Sequence, residues 1–459
     1  MSRQGQLLAV RPRMVAQRAV SVAETPPQAA RAGLVPQLLR DNPEFRRMWA
    51  GLSISQLGDQ ISLIALPLVA VLALDATPAQ MGYLAAAGLA PNLVFALHAG
   101  ALADRFGRRR KLMIAADLGR AILIGSIPAA YAVGRLSLGL LYVVAFLVGT
   151  LSVLFTVSYS TLFISVLPRE HYVEGTSLVS GSRAMSFVLG PSIGGWLVQI
   201  LSAPVALITD GLSFVGSAFF LGRISPKEPP TSRRRRGEIA AGARFIVRSP
   251  IMRASLLATA TVNYFNFVFW ALLVLYATRE LHVAPGTLGL VLGAASTGGV
   301  VGSIVAGRLG RRIGLGPAYI VGCALFTVPL LLVPLAGGPP PLVLGVLVVA
   351  EFASGLGVML LDISVGSIFA GLIPDTLRAR VSGAYMLVNY GVRPLGSLTG
   401  GALGASIGLR PTLWLATAGA IAGVLWLLPS PVRHIRGVPE EAEDPDEDRA
   451  AAEYERACA

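Results

Sequence analysis

The chain has 459 residues, of which 54% are hydrophobic and only 14% charged, and its mean hydropathy is +0.66. A soluble protein of this length needs more charged residues to keep its surface hydrated. An apolar solvent must therefore surround much of this chain. The two cysteines, Cys323 and Cys458, lie far apart and exclude a disulfide framework or a cysteine metal motif. The net charge of +13 would fit a nucleic-acid-binding protein only if the basic residues formed one patch.

The first 45 residues differ in composition from the rest of the chain. Residues 1–45 are rich in arginine, contain a Thr-Pro-Pro sequence and lack the apolar core of a signal peptide. Such a segment cannot bury enough apolar surface to fold by itself. We therefore predict a disordered basic tail over residues 1–45.

Long apolar runs then recur along the chain. About 20 helical residues are needed to cross the hydrocarbon core of a bilayer. We identify twelve runs that meet this requirement, at residues 48–74, 80–103, 112–133, 138–167, 176–201, 205–221, 254–277, 288–307, 317–335, 341–373, 383–407 and 412–428.

The basic residues are divided unequally between the two sides of the predicted membrane. The connections between the runs alternate, and one alternate set, with both tails, carries 32 of the 38 Lys and Arg residues. The other set carries only Arg135, Arg279 and Arg410. Because cytoplasmic loops carry the excess of basic residues, we predict that both termini are cytoplasmic. The basicity thus reflects topology, and nucleic acid is not expected as a partner.

The longest connection, residues 223–252, separates two sets of six runs. It contains a Pro-Pro pair and four consecutive arginines, followed by a stretch in which Ile239, Ala243 and Ile246 share one helical face. We predict a cytoplasmic linker with a short interfacial helix whose basic groups lie near anionic lipid headgroups. After the last run, residues 430–459 are rich in Asp and Glu and predict an acidic cytoplasmic tail.

The two halves of the chain repeat each other. A shift of 206 residues superposes Pro168 on Pro374, and the segment Gly-Pro-Ser-Ile-Gly-Gly at 190–195 on Gly-Ser-Leu-Thr-Gly-Gly at 396–401. Such repeats are typical of transporters in which the substrate binds between two halves. The sequence therefore predicts an all-α membrane protein with twelve transmembrane helices in two pseudo-symmetric six-helix bundles, residues 46–222 and 253–429.

The connection after the second run carries a charged motif. Gly100, Asp104, Arg105, Gly107 and Arg108 lie within nine residues, and Asp104 is the one acid of a basic loop. An acid at a helix end can pair with a nearby arginine or stabilise the N-terminus of another helix. This stretch resembles the signature loop of the major facilitator superfamily, in which the aspartate contacts the start of helix 11 and stabilises the outward-open state. The resemblance implies that these five residues form a conformational latch.

The fifth run contains Gly190, Pro191, Gly194 and Gly195. Proline removes a backbone donor and glycine permits close helix approach, so this is a kinked packing face. It resembles the core of the motif associated with exporters and antiporters of the superfamily, although serine stands at two positions, 177 and 186, where the full motif has glycine. Two interpretations stay open: a motif of export, or a packing face with no bearing on direction.

The fourth run lacks the arginine that the best-known drug–proton antiporters carry four residues before a glycine. Ala145 stands there, before Gly149, and the repeat position in the tenth run is Glu351. This departure argues against those antiporter groups.

Residues 42–49, 55–59 and 242–250 carry a narrower resemblance. Through these segments, the whole chain from Asn42 onward resembles the branch of bacterial facilitators that exports macrolides and catecholate siderophores. The resemblance implies a secondary active transporter in the bacterial plasma (inner) membrane. It would export a drug, a macrolide-like natural product or a siderophore by alternating access, with proton antiport. It implies the substrate, protons and the bilayer as partners and no cofactor or metal, and we expect a monomer.

Five acids fall within the predicted spans, where each costs about 2.5–3.5 kcal/mol on insertion scales. They are Asp59, Asp117, Asp210, Glu351 and Asp362. Asp117 precedes Arg120 by three residues and is expected to pair with it, and Asp210 is expected to reach water near the outer end of its run. Asp59 lies near the middle of the first run without a local cation. Asp59, Asp362 and Glu351 are therefore the candidate proton-coupling groups; alternatively, these charges only pair across the bundle.

Other polar and aromatic side chains of the spans are candidates for a substrate cavity. They are Gln56, Gln60, Asn263, Asn266, Trp270, Arg183 and Arg393. The two glutamines flank Asp59 on helix 1, which lines the cavity in the superfamily, and the asparagines are the facing set on helix 7. The arginines are expected to pair with Asp362 or to contact an anionic substrate. Trp270 contributes either to an apolar binding wall or to ordinary packing.

Other functional classes find little support in the sequence. The four histidines are dispersed, and no metal cluster, nucleophile elbow or phosphate-binding loop occurs, so an enzyme or an ATP-driven pump is not expected. An importer and a transport-inactive sensor on the same fold remain as alternatives to an exporter.

Overall fold

The computed structural model describes residues 36–106, 108–225 and 239–439, with residues 96–106 and 239 described by their backbone only. Every regular element within these ranges is helical. The N-terminal half contains α1 (Gln37–Asp41), α2 (Pro43–Leu74), α3 (Pro78–Phe106), α4 (Arg109–Ala132), α5 (Leu138–Val166), α6 (Tyr172–Leu201) and α7 (Ala203–Gly222). The C-terminal part contains α8 (Ile239–Arg248), α9 (Pro250–Arg279), α10 (Pro285–Ile313), α11 (Leu315–Thr327), α12 (Leu332–Leu335), α13 (Pro340–Leu372), α14 (Arg378–Ile407) and α15 (Leu409–Val424).

Local sequence determines where the long helices begin. The Asn42 side chain accepts a hydrogen bond from the Phe45 amide at 2.9 Å, and Pro43 occupies the first turn of α2. This cap starts α2 five residues before the predicted span. Residues 43–45 and α1 at Gln37–Asp41 are therefore helical, although both lie within the predicted tail. Ser249 caps α9 in the same way, its hydroxyl accepting from the Met252 amide at 3.4 Å.

Nine helical segments of the described chain are long and apolar enough to cross a membrane. They are Pro43–Leu74, Arg109–Ala132, Leu138–Val166, Arg169–Leu201, Ala203–Gly222, Pro250–Arg279, Pro285–Ile313, Leu315–Leu335 and Pro340–Leu372. The other three predicted runs fall in α3, α14 and α15; α15 has only 16 residues. The prediction of an all-α membrane protein is confirmed, and the count of twelve spans stays a prediction.

Helix packing follows the internal repeat. In the N-terminal half α2 packs against α6 and α7, while α5 packs against α3 and α4. In the C-terminal half α9 packs against α14 and α15, while α13 packs against α10 and α11. Residue for residue, α6 at Tyr172–Leu201 and α14 at Arg378–Ile407 are offset by 206 positions at both ends. The helix pairs named here therefore pack together in both halves.

The two halves meet at two crossings related by the same repeat, α3 with α14 and α6 with α10. A Cβ atom built on Gly82 would lie 2.7 Å from the Cα atom of Gly401. A Cβ atom built on Gly195 would lie 2.9 Å from the Cα atom of Gly289. Both distances are shorter than carbon contacts allow, so only glycine permits these helices to approach as they do.

Polar contacts join the halves at one end of the molecule, which we call the closed end. Asp75, which ends α2 in a left-handed conformation with φ of 51°, forms an ion pair with Arg279 at the end of α9. The Gln199 side chain accepts a hydrogen bond from the Gly286 amide at 3.0 Å. Towards the opposite end α6 exposes much of its surface, including Arg183 and Met185.

The short helix predicted in the linker is α8, at residues 239–248. Its buried side chains are Phe245 and Ile246, and Gly242 lies against the backbone of Arg380 on α14. Ala243, which the sequence places on the apolar face, is exposed. Ile246 is thus buried as the predicted face requires, Ala243 is not, and the side chain of Ile239 lies outside the described residues. The covering helix is α14.

The start of the predicted acidic tail is folded against the C-terminal half. The amides of Leu315 and Gly316 donate to the carbonyl oxygens of Arg436 and Ile435 at 3.3 and 2.9 Å. These bonds satisfy the first donors of α11, which lack partners within the helix. Residues 431–436 thus serve as a structural element of the bundle.

Candidate functional site

The acid near the middle of α2 faces a buried arginine of α4. Arg120 Nη1 lies 3.9 Å from Asp59 Oδ1, and the side chains of Arg120 and Asp59 are 3% and 43% exposed. No cation lies close to Asp59 on its own helix, as the sequence indicates, and the structure supplies one from another helix. The side chain of Asp59 is therefore partly exposed, while that of its counter-ion is buried.

Arg120 is held firmly in place. Its Nη2 forms the predicted ion pair with Asp117, and its guanidinium lies 4.6 Å from the ring centre of Phe155 and 4.2 Å from that of Phe214. Aromatic rings close to a guanidinium stabilise its charge when water is absent. The two rings therefore support this cation within the helix bundle.

Asp210 of α7 belongs to the same cluster. It is 1% exposed, so the expectation that it reaches water is wrong; α7 packs against α2 and α4 and closes the side chain off. Its two carboxyl oxygens accept hydrogen bonds from Ser62 of α2 and, at 3.1 Å, from Ser213 of its own helix. Three acids thus surround one arginine in the N-terminal half.

In the C-terminal half, Asp362 of α13 is exposed, and Arg393 of α14 is the cation that acts on it electrostatically. Arg393 Nη2 donates to Asn389 Oδ1 at 2.9 Å, and its guanidinium lies 4.5 Å from the ring centre of Tyr390. The other arginine expected near Asp362, Arg183, is exposed on α6 and lies 5.6 Å from the ring centre of Phe187. Of the two arginines, Arg393 is therefore the one whose charge acts on Asp362, without a direct ion pair between them among the described residues.

Glu351 lies apart from both groups. It is 2% exposed on α13, and its Oε1 makes no hydrogen bond with the described residues. Within the same ranges no three His, Cys, Asp or Glu side chains are placed to hold a metal ion. Glu351 is therefore a buried acid for which the described part of the chain provides no ion pair.

The amide candidates fall into two groups. In the first group, the amide oxygen is buried and has no hydrogen-bond partner in the described chain. This group contains Gln56 and Gln60 of α2 and Asn266 of α9. Asn263 Nδ2 donates to the Thr259 carbonyl of its own helix at 3.0 Å. Trp270 packs against the hydrophobic core, which favours ordinary packing.

The glycine-rich segment of α6 has two functions in packing. Gly190 and Gly194 lie against α2, where a Cβ on Gly194 would be 3.1 Å from the Cα of Ile61. Pro191 and Gly195 lie against Gly289 of α10, in the other half. This segment therefore links the helix that carries Asp59 to the interface between the halves.

Most of the predicted latch is described by its backbone only. Gly107 lies outside the described residues, and Gly100, Asp104 and Arg105 are described only by their backbone in α3. Arg108 precedes the first turn of α4. The latch stays a prediction.

Sequence reasoning missed that Arg120, Ser62 and Asp210 belong to one site. A signal existed: Asp59 and Ser62, Asp117 and Arg120, and Asp210 and Ser213 are each three residues apart, which places each pair on one helical face. The spacing does not reveal that the three faces meet.

Comparisons with known proteins give a consistent result. The family model described as "Transmembrane secretion effector", of the MFS class, matches residues 38–453. The chain is 28% identical over 398 residues to the multidrug efflux pump Tap of Mycobacterium tuberculosis strain H37Rv, covering 81% of this chain and 89% of that protein. It is 27% identical over 387 residues to the uncharacterized MFS-type transporter YfiS of Bacillus subtilis, with the same coverage.

Solved structures share the fold at low sequence identity. A bacterial homologue of the iron transporter ferroportin in an inward-facing state has a TM-score of 0.67 and 17% identity, over 86% of this chain and 99% of that one. The nucleoside transporter NupG has a TM-score of 0.66 and 13% identity, over 84% and 98% of the two chains.

Proposed function

Because the chain belongs to the transmembrane secretion effector family of the major facilitator superfamily, we propose that it exports an amphipathic small molecule by proton antiport and alternating access. It is a membrane transporter, and a relative named as a multidrug efflux pump favours export. The substrate class we propose is a drug, a macrolide-like natural product or a siderophore.

The accessibility of Asp59 is the observation that carries this proposal. The side chain of Asp59 is 43% exposed, while that of Arg120 is 3% exposed. In this proposal a proton reaches and leaves Asp59 from its exposed side, without passing the buried ion pair. Because an exposed charge inside a membrane is costly, protonation would allow an apolar substrate to occupy the same space. Substrate and proton would then compete, as antiport requires.

The same proposal includes twelve spans with both termini in the cytoplasm of a bacterial cell. The unequal distribution of basic residues supports this orientation. It makes the closed end periplasmic, and an exporter closed at this end would accept its substrate from the cytoplasm. The fold match to an inward-facing transporter agrees with this interpretation.

The Asp75–Arg279 ion pair then belongs to the periplasmic gate. We expect Asp75→Ala to raise the labelling rate of a cysteine at Ser192, which lies beside Gly289 at the α6–α10 crossing. The increase should be modest, less than about fivefold, because exposed ion pairs contribute little. The charge-swapped double variant Asp75→Arg with Arg279→Asp should return to the wild-type rate. Equal rates in all three proteins would exclude a gating role.

Two alternative functions, an importer and a sensor, make different predictions for a flux assay in proteoliposomes. An importer would move substrate in the opposite direction, and a sensor would bind substrate without moving it. The exposed acid of α2 favours coupled transport over sensing, since a sensor needs no exchangeable proton.

Proteoliposome flux tests the proposed function. Accumulation of a compound panel, including ethidium and erythromycin, in cells with and without the gene selects the probe. An imposed pH step should then drive the probe uphill against the proton flow, and an uncoupler should abolish this accumulation. Accumulation that persists with the uncoupler would eliminate proton antiport.

A further inference from the structure

Three carboxyl groups and one guanidinium occupy the space between α2, α4 and α7. They are Asp59, Asp117, Asp210 and Arg120, with a formal charge of −2 when all are ionised. Asp117, Asp210 and Arg120 are each 2% exposed or less. Uncompensated charge is costly away from water, so not all three acids can be ionised together.

The positive charge of Arg120 is already compensated by two acids, Asp117 and Asp59. Its Nη2 binds Asp117 directly, its Nη1 is 3.9 Å from Asp59, and the rings of Phe155 and Phe214 restrict its movement. Asp210 has no direct contact with it among the hydrogen bonds and ion pairs of the described chain. Of the three acids, Asp210 is therefore the one without its own cation.

The immediate partners of Asp210 are hydroxyl groups. Ser62 and Ser213 bond to its two oxygens, and Gly58 of α2 lies directly against it. The charged groups that act on it are Asp59 from α2 and Arg120 from α4; α6, which also packs against α7, contributes none in the described part. A neutral carboxyl keeps both contacts, because a serine hydroxyl can donate or accept.

We propose that Asp210 remains protonated and is a positioning residue for proton exchange at Asp59. It contacts Gly58, just before Asp59, and Ser62, one turn after it, and so attaches α7 to this stretch of α2. In this arrangement Asp59 exchanges its proton while Asp210 keeps its own. The role rests on the proposed antiport, but the protonation of Asp210 can be measured without transport.

Infrared spectroscopy of the purified full-length protein tests the protonation. We expect the difference spectrum between wild type and Asp210→Asn at neutral pH to contain the C=O absorption of a protonated carboxyl. The matched control is Asp117→Asn, the same substitution in the same cluster, whose difference spectrum should contain carboxylate absorption. Carboxylate absorption alone for Asp210→Asn would overturn the proposal, whatever the result of flux measurements.

Proteoliposome flux of the selected probe tests the positioning role. Asp210→Ala should lower coupled flux by about tenfold or more and alter its pH profile, because misplaced reacting groups lose efficiency steeply. Asp210→Asn, which keeps a neutral group of the same shape, should recover the profile. A purely structural role would lower thermal stability without altering the pH profile, and that result would overturn the assignment. If Asp210→Ala does not fold, Ser213→Ala is used instead, because it removes one of the two hydroxyl groups that bond to Asp210. Its coupled flux and pH profile are compared with those of wild type in the same way.

Discussion

Replacement of Asp59 by asparagine should abolish uphill export while the protein stays folded. The asparagine resembles the protonated carboxyl, and Asp117 still compensates Arg120 when the charge at position 59 is removed. One proton moving down about 150 mV and one pH unit supplies about 5 kcal/mol, enough for a gradient of about three decades. We expect the variant to lose this entire gradient and to retain substrate binding and downhill exchange.

The measurement is probe accumulation in proteoliposomes under an imposed pH step. Asp375→Asn is a suitable control, because Asp375 is an exposed aspartate that pairs with Arg378 at 2.8 Å, outside the site. If Asp59→Asn still pumps uphill, the coupling group is elsewhere. Asp362→Asn and Glu351→Gln would then be the next variants, since both acids lie on α13.

Sequence patterns predicted much of the architecture because the bilayer imposes simple rules. Apolar runs of spanning length predicted the long helices, and the 206-residue repeat predicted the equivalence of α6 and α14. Helix ends were less accurate, since capping by Asn42 and Ser249 extends α2 and α9 beyond their apolar runs. For α8, local periodicity predicted the burial of Ile246 but not the exposure of Ala243, because the packing of α14 against this helix could not be known from it.

The site was predicted only in part because its interactions connect distant helices. Spacing within one helix predicted the Asp117–Arg120 pair. It could not show that Arg120 also approaches Asp59, or that Asp210 is closed off by α2. Position within an apolar run indicates depth in the membrane, but it does not indicate which neighbouring helix covers a side chain.

The second large effect is expected at the glycine crossings between the halves. A Cβ on Gly289 would lie 3.1 Å from the Cα of Gly195, with the carbonyl oxygen of Pro191 closer still. A valine at position 289 cannot fit in this conformation of the closed end, because the backbone of α6 at Pro191 and Gly195 lies against this position and cannot move aside as a side chain can. Overpacking of this kind costs about 1–3 kcal/mol, which would shift the equilibrium roughly 5- to 150-fold towards the conformation open at this end. Gly289→Val should therefore fold, stop cycling and lose transport.

Cysteine labelling at the other crossing can detect this shift without reference to transport. A cysteine at Ser397, which is fully buried beside Gly82, should react faster in Gly289→Val when Cys323 and Cys458 are replaced by serine. Gly139→Val is the matched control, because nothing lies within 4 Å of a Cβ built there. Gly82→Val, the repeat-related substitution, should reproduce the loss of transport. Wild-type labelling together with wild-type flux in Gly289→Val would show that the close approach of α6 and α10 is not needed to close this end.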